Sequence, residues 1–394
     1  MEAGYSMDVS LFPKELELML FFMNEEADGD ELSYNKGLAD INWPLFKELA
    51  IHHRVFPTLY TKLKAVKEAG IPPYVIEALR VDYQLNTYQM LHLSAEMDRI
   101  CKLFSDSKID TLVLKGPVLA AELYGDISQR TSGDLDILIP IEKLDQAERL
   151  LAAQGYKKDE YIQTVLNDWK WRHHHITFFH HTNGIKIEVH WRLGPGPGKE
   201  PSFQELWARR KISSITRHPV YYLGREDLFL FLVSHGARHG WSRLRWLVDI
   251  DRIVRQDLDV PQLRRLLKQY EQLHIGAQAL ILASQLLCTP LSEDLKTLAQ
   301  GQRARNLAQD ALFYIRQRIN LHDEPIPYAV SEYHKRHLFS LMSNTRKLLF
   351  ILNFFYPYPE DANTLALPKY LHFLYFPLRP FLWVWRKTKK IALP

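Results

Sequence analysis

Two short runs, LVLKGP at residues 112–117 and GDLDILI at residues 133–139, frame the reading of this chain. The first begins as a β-type run and ends on a glycine and a proline. Gly116 has no Cβ, so the backbone there can approach an anion closely, and Pro117 is pre-set to open a helix. The second run alternates acid and aliphatic. On a strand, alternate side chains share a face, so Asp134 and Asp136 point together while Leu135, Ile137 and Ile139 point into a core. Strand rise alone separates the two aspartate Cα atoms by about 6.5–7 Å. Their carboxylates can therefore reach one divalent ion or bracket two, and hard oxygen donors of this kind suit Mg²⁺.

Working outward, residues 171–181 and 185–192 read as β-type runs around Thr182-Asn183-Gly184, and Asn-Gly is a strong hairpin signal. Within IKIEVHW (185–191) the aliphatics fall on one face and Lys186, Glu188 and His190 on the other. Glu188 is the candidate third acid. It would complete a metal site and take the proton of an attacking hydroxyl in an in-line displacement at phosphorus. A helix from Pro117 to Tyr124 would aim its N-terminal N–H groups at the same place. Lys115 and Arg130 add positive charge there, the arginine as a fork that matches phosphate oxygens. With Gly116 and Gly133 they make up the expected nucleotide-binding set.

This constellation resembles the nucleotidyltransferase superfamily typified by polymerase β: a strand, a glycine motif opening a helix, an Asp-hydrophobic-Asp strand, and a later acid on a strand. More closely, LVLKGPVLAAELYGDISQRTSGDLDILIP, then IKIEVHWRL and LVSHGARHGWSRLRWLVDID, is similar to a largely uncharacterised bacterial nucleotidyltransferase-like family over residues 112–253. The resemblance implies Asp134, Asp136 and Glu188 as metal ligands and catalytic acids for two Mg²⁺ ions, Gly116 as the nucleotide-loop glycine, and an NTP as substrate. The superfamily usually has Gly-Gly or Gly-Ser in that loop, whereas Lys115 and Pro117 flank the glycine here. Proline cannot donate an N–H, and Lys115 is expected to compensate. A non-catalytic module of the same fold, antitoxin-like and acting through a protein partner, is the alternative.

Helical spacing covers residues 11–105, with Pro72-Pro73 opening the last and longest helix, and residues 24–31 read as an acidic surface loop. After GPGPG at 194–198, helical spacing returns over 226–239, 244–256, 261–287, 303–319 and 334–355. The expected fold is α+β: a small mixed-sheet core at 106–215, flanked by an N-terminal helical region (1–105) and a C-terminal one (216–394). His190, His235, His239 and Asp249 are expected to line the substrate cleft where core and helices meet. The histidines at 173–175 and 180–181 suggest zinc, but no cysteine lies near and consecutive strand residues face opposite ways, so a zinc site is not expected.

The composition, 394 residues with 46% apolar and 24% charged, excludes collagen-like, coiled-coil and disordered classes. With 50 Lys+Arg against 46 Asp+Glu the balance is only mildly basic, so long nucleic acid is not the expected partner and the acceptor is a small molecule or a protein. Two distant cysteines, Cys101 and Cys288, and a start without a basic-then-apolar leader suggest the cytoplasm. The most apolar stretch, 365–385, is interrupted by prolines and charges, so no membrane span is read there. Its aromatic and basic end suits either a packed tail or a peripheral membrane contact.

Overall fold

A computed structural model describes residues 5–26, 38–65, 70–160, 162, 164–321 and 325–391. The chain opens with helices α1 (Lys14–Met23), α2 (Trp43–His52), α3 (Phe56–Ala65) and α4 (Pro73–Asp106). Asn42 caps α2 by accepting from the Leu45 N–H at 3.1 Å, and α4 starts at Pro73 as the sequence suggests, running 34 residues. Of the acidic stretch at 24–31, residues 27–31 lie outside the described residues.

Seven strands follow: β1 (Leu112–Val113), β2 (Leu135–Leu138), β3 (Tyr156–Lys158), β4 (His175–His180), β5 (Lys186–His190), β6 (Lys211–Ser213) and β7 (Val220–Tyr222). They form one mixed sheet in the order β3-β4-β5-β2-β1-β7-β6. Between the strands lie α5 (Pro117–Tyr124), α6 (Leu144–Ala153), α7 (Trp169–Arg172) and α8 (Phe203–Ala208). The β4–β5 hairpin turns at Asn183-Gly184, with Gly184 at φ +70°. Residues 169–172 form a helical turn, so the strand read from 171 begins only at His175. Strands β6 and β7, three residues each, are too short to carry a visible alternation.

The C-terminal part is helical: α9 (Arg225–Arg238), α10 (Leu244–Val254), α11 (Val260–Gln269), α12 (Leu273–Leu286), α13 (Glu293–Leu298), α14 (Gln302–Gln317), α15 (Tyr328–Leu341), α16 (Asn344–Asn353), α17 (Pro359–Thr364) and α18 (Tyr375–Ile391). The periodic run 261–287 is two helices, because Glu271 turns left-handed at φ +58° between them. The run 334–355 also divides, with the Ser343 hydroxyl accepting from the Arg346 N–H at 3.1 Å to start α16. The fold is thus α+β with flanking helices.

Two hydrophobic cores position the site. On one side of the sheet, Leu135, Ile137, Ile139, Ile187 and Val189 pack against α4 and α6 through Met97, Phe104 and Leu151. On the other, Leu112, Leu114 and Leu138 join a core shared by N-terminal residues such as Phe46 and Leu59 and C-terminal ones such as Phe229, Trp241 and Leu280. Helices from both ends of the chain therefore wall in one face of the sheet. Among the described residues, no helix is long and apolar enough to cross a membrane.

Candidate active site

Strands β2 and β5 are parallel neighbours, and their register sets Asp136 opposite Glu188 and Leu138 opposite His190. His175 of β4 stands opposite His190 on the far side of β5. The period of two then turns Asp136, Glu188 and His190 toward the helix-covered face. Ligand atoms of these three residues all lie within 4.8 Å of one another. Asp136 is 1% exposed. Its Oδ1 receives Lys115 Nζ at 3.2 Å and His190 Nε2 at 3.2 Å, while its Oδ2 is buried with no hydrogen-bond partner. His190 Nε2 also lies 3.6 Å from Glu188 Oε2, and His175 Nε2 lies 3.8 Å from that same oxygen.

Asp134 precedes β2 and is set apart from this group. Lys186 Nζ bridges it to the site, 3.1 Å from Asp134 Oδ2 and 2.8 Å from Glu188 Oε1.

Charge pairing decides the protonation states. Burial alone would raise the Asp136 pKa, but Lys115 and His190 overcome it and hold the carboxyl down at about 2. Burial likewise works against Glu188, yet His190, His175 and Lys186 keep it well below the ordinary carboxylate range. Burial would lower His190, and its two carboxylate neighbours raise it instead. His175 is pushed down to about 4, by burial and by His190.

Gly116 caps α5 at φ +79°, ψ −145°, a conformation that side chains disfavour. It brings Lys115 to Asp136 and starts α5 directly behind it. Lys115 Nζ also lies 5.5 Å from the centre of the Phe231 ring of α9. Gly133 is exposed, with open space on its Cβ side.

Three expectations need correction. Arg130 does not face a phosphate site: its guanidinium grips Asp249 of α10 with bonds of 2.8 and 2.9 Å, both side chains fully buried, and Tyr124 donates to the same carboxylate at 2.8 Å. For the same reason Asp249 lines no cleft. Third, His174 and His175 do not face opposite ways. His174 lies just before β4, outside the pleat, and a ring nitrogen from each of His174, His175 and His190 falls within 4.8 Å of the others. The His235 and His239 rings meet at 4.6 Å, inclined by 49°, and pack on Trp246 at 5.4 and 5.3 Å.

The family described as "Uncharacterised nucleotidyltransferase" matches residues 39–288, from α2 through the whole sheet to the end of α12. The chain belongs to that family. Among curated proteins no match is found.

In this member of the family a cavity of about 260 Å³ opens beside the site, with His235, Arg238, Phe231, Arg192 and Arg346 among its lining residues. Arg238 is the residue the sequence reading missed. The negative charge of Glu188 and Asp136 acts on it from nearby, and burial leaves its pKa lowered to about 10. Its place on the last turn of a largely buried helix carries no local signal; only the fold brings it to the carboxylates. A second cavity, reaching Trp171, His173 and Phe350, shares Met342 and Arg346 with the first.

Proposed function

We propose that this protein moves a nucleoside monophosphate from an NTP to an acceptor hydroxyl or phosphate. An acceptor oxygen forms a bond to the α-phosphorus, the bond from that phosphorus to the bridging oxygen breaks, and pyrophosphate leaves with the electron pair. What supports the reading, beyond the family, is the in-register pair Asp136 and Glu188 with the buried, unpartnered Asp136 Oδ2. An anionic oxygen in that state is a donor in want of a cation.

Asp136, Glu188 and His190 fit a divalent ion and would hold it. When bound, it would neutralise charge developing on the phosphate oxygens. Asp134 stays outside this donor set while Lys186 pairs with it, so the proposal carries one ion rather than two. Glu188 would take the proton of an acceptor hydroxyl. Held ionised by its neighbours it is a weak base, so positioning and charge neutralisation carry more of the catalysis. Gly116 admits the triphosphate to the start of α5, and Lys115 and Arg238 supply the positive charge that Arg130 does not. The acceptor fits the cavity beside Arg238, which suits a small molecule or a single inserted side chain.

A second reading, a silent module acting through a protein partner, is favoured by one observation: Lys115 and Lys186 already neutralise the carboxylates. A mass-shift screen with each NTP, Mg²⁺ and cell extract separates the two. An added nucleotide on a small molecule or polypeptide, lost in Asp136→Asn, supports transfer. Wild-type turnover in that variant overturns it, and absence of Mg²⁺-dependent NTP binding together with a co-purifying protein favours the silent module.

A further inference from the structure

Between residues 344 and 385 many large apolar side chains are exposed. Helix α16 spans ten residues, and none is buried. Leu348, Leu352, Phe355, Phe373, Phe381 and Trp383 are each more than half exposed. These positions belong to one platform. Arg379 of α18 donates to the Phe354 carbonyl just after α16, and the Tyr356 and Phe376 rings meet edge to face at 5.2 Å. Asp361 of α17 binds both Arg379 and Arg386, fastening α17 to α18.

The charge of this segment is as uneven as its hydropathy. Residues 365–394 hold six Lys and Arg and no Asp or Glu, and without them the chain's net charge of +4 becomes −2. Lys387 Nζ lies 5.6 Å from the centre of the exposed Trp383 ring, so cation and aromatic stand side by side.

We propose that α16 to α18 form a docking surface for an anionic phospholipid bilayer, lying in its interface rather than crossing it. Exposed aliphatic side chains enter the boundary between headgroups and acyl chains, tryptophans sit at headgroup depth, and lysines meet the anionic headgroups. Charge selects this occupant. A second copy joined through this same face would set like charges against each other, whereas an anionic surface complements them. Pro380 within α18 and the shortness of α16 fit a surface helix, not a spanning one. The docking does not depend on the catalytic reading.

The test is vesicle flotation of the full-length protein with phosphatidylcholine alone and with added phosphatidylglycerol, at low and high salt. Recovery with the anionic vesicles is expected, falling about tenfold with phosphatidylcholine alone, at high salt, or in the variant Leu348→Ser/Phe381→Ser/Trp383→Ser. Those side chains are exposed, so the variant should keep the wild-type melting curve, which is measured alongside. Tryptophan quenching by brominated lipid reports insertion directly. No recovery overturns the proposal. So does recovery unchanged in a folded variant, or light scattering that shows a wild-type dimer which the variant dissolves.

Discussion

Asp136 and Glu188 face one another across parallel strands, and His190 links them through one nitrogen, 3.2 Å from the first and 3.6 Å from the second. The three side chains form a charge-alternating unit whose two carboxylates would hold a divalent cation. Glu188→Gln keeps the shape but removes an anionic donor. Mg²⁺ binding by calorimetry should weaken, and nucleotide transfer should fall at least about a hundredfold, with the circular dichroism spectrum unchanged.

Arg130 and Asp249 bear on stability. Each is fully buried, so either single change strands its partner's charge in the core, whereas removing both strands neither. Arg130→Met or Asp249→Asn should cost about 3–5 kcal/mol in urea unfolding, and Arg130→Met/Asp249→Leu should recover much of it. Equal loss in the double variant would mean the pair holds the fold by packing rather than by charge.

That pair also marks where sequence reading stops. Asp136, Glu188 and His190 were legible because strand period puts alternate residues on one face, and Gly116 because a strand-to-helix turn needs a residue free of Cβ. Arg130 looked like a phosphate ligand for want of its partner, which lies 119 residues further on. Arg238 was invisible for the converse reason: the acids that act on it come from β2 and β5. Asp134 obeys the alternation but precedes the strand, and Lys186 from the neighbouring strand claims it. Local periodicity gives faces; partners across the sheet are given only by topology.

Gly116→Ala tests the loop. Space is not the obstacle, since a Cβ would sit 3.8 Å from the Asp134 carbonyl oxygen; the backbone angle is. Strain of about 1–3 kcal/mol is expected, read as lowered unfolding stability, with NTP affinity reduced because α5 and Lys115 shift together.

The two thiols should separate cleanly. Burial, with Asp98 adding to it, pushes Cys101 up to about 12, whereas Cys288 is exposed. The thiolate is the reactive form, so near pH 8 a disulfide reagent should modify one thiol per native chain and two after unfolding. Cys101 should stay unmodified in the native chain, because the fold as well as its raised pKa shields it.

Lys186 joins two acids from neighbouring strands. Its ammonium lies 3.1 Å from Asp134 and 2.8 Å from Glu188, standing between two acids that would otherwise repel. At such distances a unit charge is worth roughly 5–6 kcal/mol at an effective dielectric of 20, and partial exposure of the lysine reduces that considerably. Lys186→Met leaves the carboxylates with unmet demand for positive charge. Mg²⁺ affinity in the absence of nucleotide should therefore rise about tenfold by calorimetry, equivalent to about 1.4 kcal/mol, while Lys186→Arg should leave it near wild type. Unchanged or weaker Mg²⁺ binding in Lys186→Met would mean that the lysine does not hold a cation's place, and that its ion pairs serve only to join β2 to β5.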